Sequence, residues 1–134
     1  MKKTPFVLAV IAAAALQAAA VEPRTHSPWV GVWQGELDGL PGVTVTLGDD
    51  AGDIGGSVVF NVIMKENGAP YIGGHDAHVL THLHLDGDTL SFEVIRLGDG
   101  RDLHFTVHKT TPDTAQLHCD DCGGFSRTEI ARIH

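Results

Sequence analysis

Positive charge is scarce in this chain: nine lysines and arginines stand against seventeen acidic residues. Two of the nine, Lys2 and Lys3, sit at the extreme N-terminus, so the chain from Val21 onward keeps seven basic residues and a balance of −10 with histidines neutral. A surface of that sign repels phosphate backbones and anionic bilayers, which excludes nucleic acid and membrane surfaces as partners and leaves cations and neutral ligands open. Long apolar runs are scarce too. The one such stretch, Phe6 to Leu16, is far shorter than the about twenty residues needed to span a bilayer. Cysteine is limited to Cys119 and Cys122. No helical period runs through the chain after residue 20, and neither EF-hand spacing, a G-x-S-x-G elbow nor a carboxylate pair across a cleft is present. Those absences argue against calcium binding and triad hydrolysis, and leave no catalytic constellation in view.

What is present begins with export. Lys2 and Lys3, the apolar run and the small residues Ala18-Ala19-Ala20 form a cleavable secretory signal over residues 1–20, with the mature start at Val21. The remaining 114 residues, 21–134, are one domain by length. The product is expected to be a soluble periplasmic or secreted protein.

The clearest strand signal is His75 to His108, HDAHVLTHLHLDGDTLSFEVIRLGDGRDLHFTVH, which holds six of the nine histidines. Apolar and polar residues alternate around Asp86-Gly87 and Asp99-Gly100, pairs that accept the positive φ of type I′ turns. With each pair at the turn centre, Leu83 faces Leu90, Thr81 faces Phe92, Val79 faces Val94, Val94 faces Phe105 and Phe92 faces Val107. The other face then carries a row of His82, Ser91 and His108 and a second row of His78, Ile95 and His104, with Glu93 and Thr106 between them. Upstream, PWVGVWQGELDGLPG, VTVTL and IGGSVVFNVI read as further strands, Gly55-Gly56 marking a bulge or bend. Met64 to Gly74 reads as the longest irregular connection, a lid or rim loop. Thr114 to His118 and Phe125 to Ile133 complete about eight strands. The expected fold is all-β, a single antiparallel up-and-down barrel, with an open sandwich as the alternative. Its inward residues are Trp33, Leu37, Val45, Leu47, Val58, Phe60, Val79, Leu83, Leu90, Phe92, Val94, Leu103, Phe105, Val107, Leu117 and Ile130. Any cavity is expected at the mouth carrying Tyr71.

Gly31-x-Trp33 near the start of the first strand and Arg132 near the end of the last resemble the G-x-W motif and terminal arginine of the lipocalin and wider calycin group, with Arg127 as the alternative arginine. The run W-x-G-x-L followed by D-G-D-T-L-S-F-E-V also resembles small barrel modules of bacterial exported proteins. The resemblance implies a barrel whose base is closed by arginine packed across tryptophan, with a mouth that binds small apolar molecules.

The histidines offer a second chemistry. Side chains at i and i+2 of a strand point the same way, so His82 with His84, or His104 with His108 given a third ligand, can share a metal ion. His82 and His108, flanking Ser91, lie within reach of one ion, and Glu93 is placed as ligand or outer partner. His78 shares that face. Zinc or copper is the implied metal, against a merely solvated, pH-sensitive histidine face. Cys119 and Cys122, in HCDDCGG, read as a small disulfide stapling a turn, with redox chemistry or metal binding alongside His118 as the alternatives. The functional expectation is thus a non-enzymatic lipocalin-like module for a small ligand or protein, or alternatively a metal-binding protein that uses its histidine face. Oligomeric state is not legible.

Overall fold

The computed structural model of the protein describes residues 27–50, 52–96, 98–122 and 127–134. The expected signal, the stretch from Val21 to His26, and Phe125 lie outside those residues. Nine strands form one curled antiparallel sheet: β1 (Gly31–Leu37), β2 (Leu40–Asp50), β3 (Asp53–Glu66), β4 (Ala69–Val79), β5 (Thr81–Asp86), β6 (Thr89–Ile95), β7 (Asp102–Thr111), β8 (Thr114–Cys119) and β9 (Arg127–Ile133). Among the described residues there is no helix, hence none long and apolar enough to cross a membrane. The all-β antiparallel architecture is the one the alternation predicts.

The spatial order is β4-β3-β2-β1-β9-β8-β7-β6-β5. Each strand pairs with its sequence neighbour except at two places. The first and last strands pair, with Trp33 opposite Arg132. The sheet ends instead at β4 and β5, which a single residue, Leu80, connects. Nine strands appear where about eight were expected because one run of chain bends at Leu80, its first half pairing with β3 and its second with β6. The backbone N–H of Leu80 donates to the Gly56 carbonyl at 3.0 Å, which pins the bend to β3.

The histidine hairpins are shifted from their expected register. Asp86 pairs with Thr89, so the turn centre is Gly87-Asp88, with positive φ at Gly87 alone, as a type II′ turn requires. Leu85 therefore faces Leu90, and across the wider β6–β7 turn Phe92 faces Phe105 and Val94 faces Leu103. Both slides are by two residues, which preserves the face each side chain occupies. Type I′ geometry occurs at Asp38-Gly39 and Asn67-Gly68, where both φ values are positive. The second of these makes Met64 to Gly74 a hairpin rather than an irregular loop, with Met64 opposite Tyr71 and Lys65 opposite Pro70. Gly55-Gly56 carries no bulge, since Leu47 pairs with Gly56 and Gly48 with Gly55 in unbroken register. Gly56 has another reason to be glycine: a Cβ there would lie 1.8 Å from the Thr46 carbonyl oxygen.

Two expected core residues lie outside. A register shift between Gly35 and Glu36 turns Leu37 outward, 54 % exposed. Val79 is 72 % exposed because the inward set changes parity near the bend. Before it, His78 and Leu80 face in; after it, Leu83 and Leu85 do, packed against the core. The change occurs at a bulge between Thr81 and His84, where His82 has φ 48°. Two residues on the bulged strand then occupy the space of one, which reverses the alternation.

The interior is otherwise filled as expected, with Trp33, Val45, Leu47, Val58, Leu90, Phe92, Val94, Phe105, Val107, Leu117 and Ile130 buried, joined by Trp29, Val43, Leu80, Ala115 and Cys119. Phe105 stacks between Phe92 and Phe60, at centroid distances of 5.3 Å and 5.6 Å. At the end where β1 begins, the Arg132 guanidinium lies 4.4 Å over the Trp33 ring and donates to the carbonyls of Val30 and Pro28. Gly31, at φ 141°, leaves room for it, since a Cβ there would sit 2.8 Å from Arg132 Nη1. Lys109 lies 4.4 Å over Trp29, and burial, then the neighbouring Arg132, lowers its pKa.

Candidate functional site

The sliding of the hairpins decides which histidines meet. Glu93 and His104 are directly paired across β6 and β7, and Thr81 pairs with Glu93 on the other side. The bulge then swings His82 over Glu93. The Glu93 carboxylate bridges two imidazoles: its Oε2 lies 2.7 Å from His82 Nδ1 and its Oε1 lies 2.9 Å from His104 Nε2. Behind His104 stands Asp121, whose Oδ1 accepts the backbone N–H of His104 at 2.9 Å while Oδ2 lies 2.9 Å from its ring Nδ1. The result is a continuous chain, His82, Glu93, His104, Asp121, on the outer face of three strands and the turn after β8.

Its electrostatics follow from these contacts. The hydrogen bond to Asp121 raises the pKa of His104, loss of hydration opposes it, and the charges of Glu93 and Asp121 raise it further. Asp121 is held below the usual carboxylate range, by the ring of His104 first and its backbone N–H second. The imidazolium–carboxylate form is thereby favoured. His82 stands out in solvent, its side chain 77 % exposed, whereas that of Glu93 is 24 % exposed.

The other expected ligands go elsewhere. His78 is on the inner face with its side chain 8 % exposed, 2.9 Å from Asp76 through Nε2 and against Phe60. His84 lies opposite Ser91. His108 pairs with Thr89, its Nδ1 3.2 Å from the Thr89 hydroxyl. The rows expected through Ser91 and Ile95 are therefore replaced by His84, Ser91, Thr106 and His118 in one row and by Glu93 and His104 in the next. Tyr71 sits on the projecting part of the β3–β4 hairpin, 41 % exposed.

Cys119 and Cys122 form a disulfide. It shapes the turn that delivers Asp121, and Cys119 Sγ lies 3.8 Å from Asp121 Oδ1. Among the described residues, Cys119, Asp121 and Cys122 are the one group of three potential metal ligands whose donor atoms all fall within 4.8 Å of one another, but its sulfurs are bonded to each other. Asp121 is the residue the sequence reading missed as a partner for histidine. It is seventeen residues from His104, and only the pairing of β7 with β8 brings it there.

A separate cleft opens between β5 and the start of β3, beyond the bend at Leu80. Its space of about 690 Å³ is lined by Ile54, Leu80, Leu83 and Leu85, with Ser27, Asp49, Gly52 and Asp53 completing the wall. Its apolar residues belong to the inner face, left accessible because no ladder joins the sheet's two ends. In comparisons with known proteins, no family model, no curated protein and no solved structure matches this chain.

Proposed function

We propose that the mature chain is an exported, non-enzymatic, lipocalin-like module that binds a small apolar ligand in the cleft between β5 and the start of β3. The observation that carries this reading is the apolar lining of that cleft, Ile54, Leu80, Leu83 and Leu85 around about 690 Å³. Sites for small molecules are concave, mostly apolar and of ~300–1,000 Å³. Asp49 and Asp53 in its wall favour neutral or cationic molecules over anionic ones. Arg132 across Trp33 supports the resemblance to the lipocalin base. The disulfide between Cys119 and Cys122 supports an oxidising compartment.

The test is titration of the untagged mature protein with Nile red, a neutral apolar dye. Expected is saturable, blue-shifted emission at one dye per chain. Leu83→Asn is expected to weaken it at least tenfold, whereas Leu37→Asn, which alters a side chain not lining the cleft, leaves it unchanged. Absence of saturable binding, or equal loss in both variants, overturns the reading.

A further inference from the structure

We propose that His82 Nδ1, Glu93 and His104 Nε2 form a binding site for a divalent transition-metal cation of the zinc or copper(II) kind, with Asp121 as the carboxylate that positions His104. This site is distinct from the apolar cleft and does not rest on it.

The argument starts from the carboxylate. Glu93 presents each oxygen to a different imidazole nitrogen, at 2.7 Å and 2.9 Å. Three neighbouring strands thus bring two imidazoles to the two oxygens of one carboxylate; as the rings stand their donor atoms do not all lie within 4.8 Å of one another, so one ring must turn to share an ion with the other two groups. Asp121 grips His104 at the backbone N–H and at ring Nδ1. Without an ion, a proton on Nε2 joins the His104 ring to Glu93; an ion takes that place when the proton leaves to solvent, with Nδ1 still held by Asp121. A carboxylate behind a ligating histidine is the usual device for fixing its tautomer and raising its basicity.

The donor types choose the class of ion. Imidazole with carboxylate suits zinc, copper and nickel, whereas calcium and magnesium demand oxygen shells. Glu93 and His104 are the fixed part, cross-strand partners on adjacent strands that are each paired on both sides. His82 is the moving part: its side chain is 77 % exposed and swings without displacing packed atoms, closing onto an ion held by the other two at bond lengths of about 2.0–2.2 Å. Water completes the shell. The closer cluster of Cys119, Asp121 and Cys122 does not compete, since its sulfurs are joined in the disulfide.

The experiment is calorimetric titration of the untagged mature protein with zinc chloride, then with copper(II) chloride, at pH 7.5. Expected is one ion per chain with micromolar or tighter affinity. Glu93→Gln and His104→Gln are each expected to weaken it at least tenfold, and His82→Asn, which tolerates the same backbone, several-fold. Asp121→Asn is expected to lower affinity about 10–100-fold. In that variant the visible spectrum of bound cobalt(II) keeps its wild-type pattern, and Asp121→Glu recovers part of the affinity, as a positioning role requires. His118→Ala, on the same outer face, is expected to change nothing. Circular dichroism establishes that each variant is folded. No binding tighter than the millimolar range, binding intact in both Glu93→Gln and His104→Gln, or binding lost in His118→Ala overturns the proposal.

Discussion

Asp121 holds His104 at two points, Oδ1 accepting its backbone N–H and Oδ2 facing its ring Nδ1, both at 2.9 Å. One carboxylate thereby sets both the position of strand β7 at that residue and the tautomer of its side chain. The same contacts define a pH window. His104 has a raised pKa, so its contribution to stability is complete below the ordinary imidazole range and is lost as pH rises through the raised value. Asp121 has a lowered pKa, so its contribution is complete above the ordinary carboxylate range and is lost as pH falls through the lowered value.

The pair is therefore most stabilising between those limits, around pH 5 to 6. Thermal melts of the wild type and Asp121→Asn across pH 3 to 9 check this. The gap in Tm is expected to be widest in that interval and to narrow on both sides. A gap independent of pH above 5 contradicts the assignment.

Arg132 ties β9 to the segment before β1. Besides lying over Trp33, it donates from Nε to Asp113 at 3.1 Å and from Nη2 to the Pro112 carbonyl at 3.3 Å, in addition to the carbonyls of Val30 and Pro28. Lysine cannot reproduce a planar fork that serves four acceptors while stacking on a ring. Arg132→Lys is expected to destabilise the fold by about 2 kcal/mol, the scale of lost charged hydrogen bonds and a partly desolvated cation–π contact. Urea unfolding followed by tryptophan fluorescence measures it. Arg127→Lys, on an exposed position of β9, is expected to change stability by less than ~0.5 kcal/mol.

Gly56 tests the bend that separates the sheet's two ends. A Cβ there meets the backbone of Thr46, not a side chain that can turn aside. Gly56→Ala must therefore push β2 from β3 at the place where Leu80 is anchored, and is expected to cost roughly 2–4 kcal/mol. Gly55→Ala, one residue away with open space around its Cβ, is expected to cost far less. Comparing the two urea midpoints isolates the close approach from general strand propensity.

Much of the core was legible because period-two alternation survives a register slide of two. Leu90, Phe92, Val94, Phe105 and Val107 are buried although their expected partners were wrong. Pairings depend on where a turn centres, and Asp86-Gly87 gave way to Gly87-Asp88. Asn67-Gly68 carried the hairpin signal that would have resolved Met64 to Gly74 into strands. The parity change at the bend was less accessible, since histidine seldom marks a bulge with positive φ. That single residue moved Val79 out, His78 in, and His82 onto Glu93. Among the expected ligands, His82, Glu93 and His104 came together, whereas Asp121 required tertiary pairing that no local pattern encodes.

The bulge itself supplies the last prediction. A non-glycine residue in the left-handed region costs about 1–2 kcal/mol, and glycine pays none of it. His82 holds φ 48° there while its exposed contact with Glu93 adds little stability in return. His82→Gly should therefore leave the fold as stable as the wild type or stabilise it by up to ~1 kcal/mol. His82→Val should destabilise it by ~1–2 kcal/mol, because a β-branched side chain is least tolerant of positive φ. If histidine is retained for chemistry and not for folding, His82→Gly raises the Tm and abolishes the contact to Glu93 in the same molecule. Chemical denaturation of the three proteins decides the point: a large loss of stability in His82→Gly would make the imidazole a structural group and remove the strain argument.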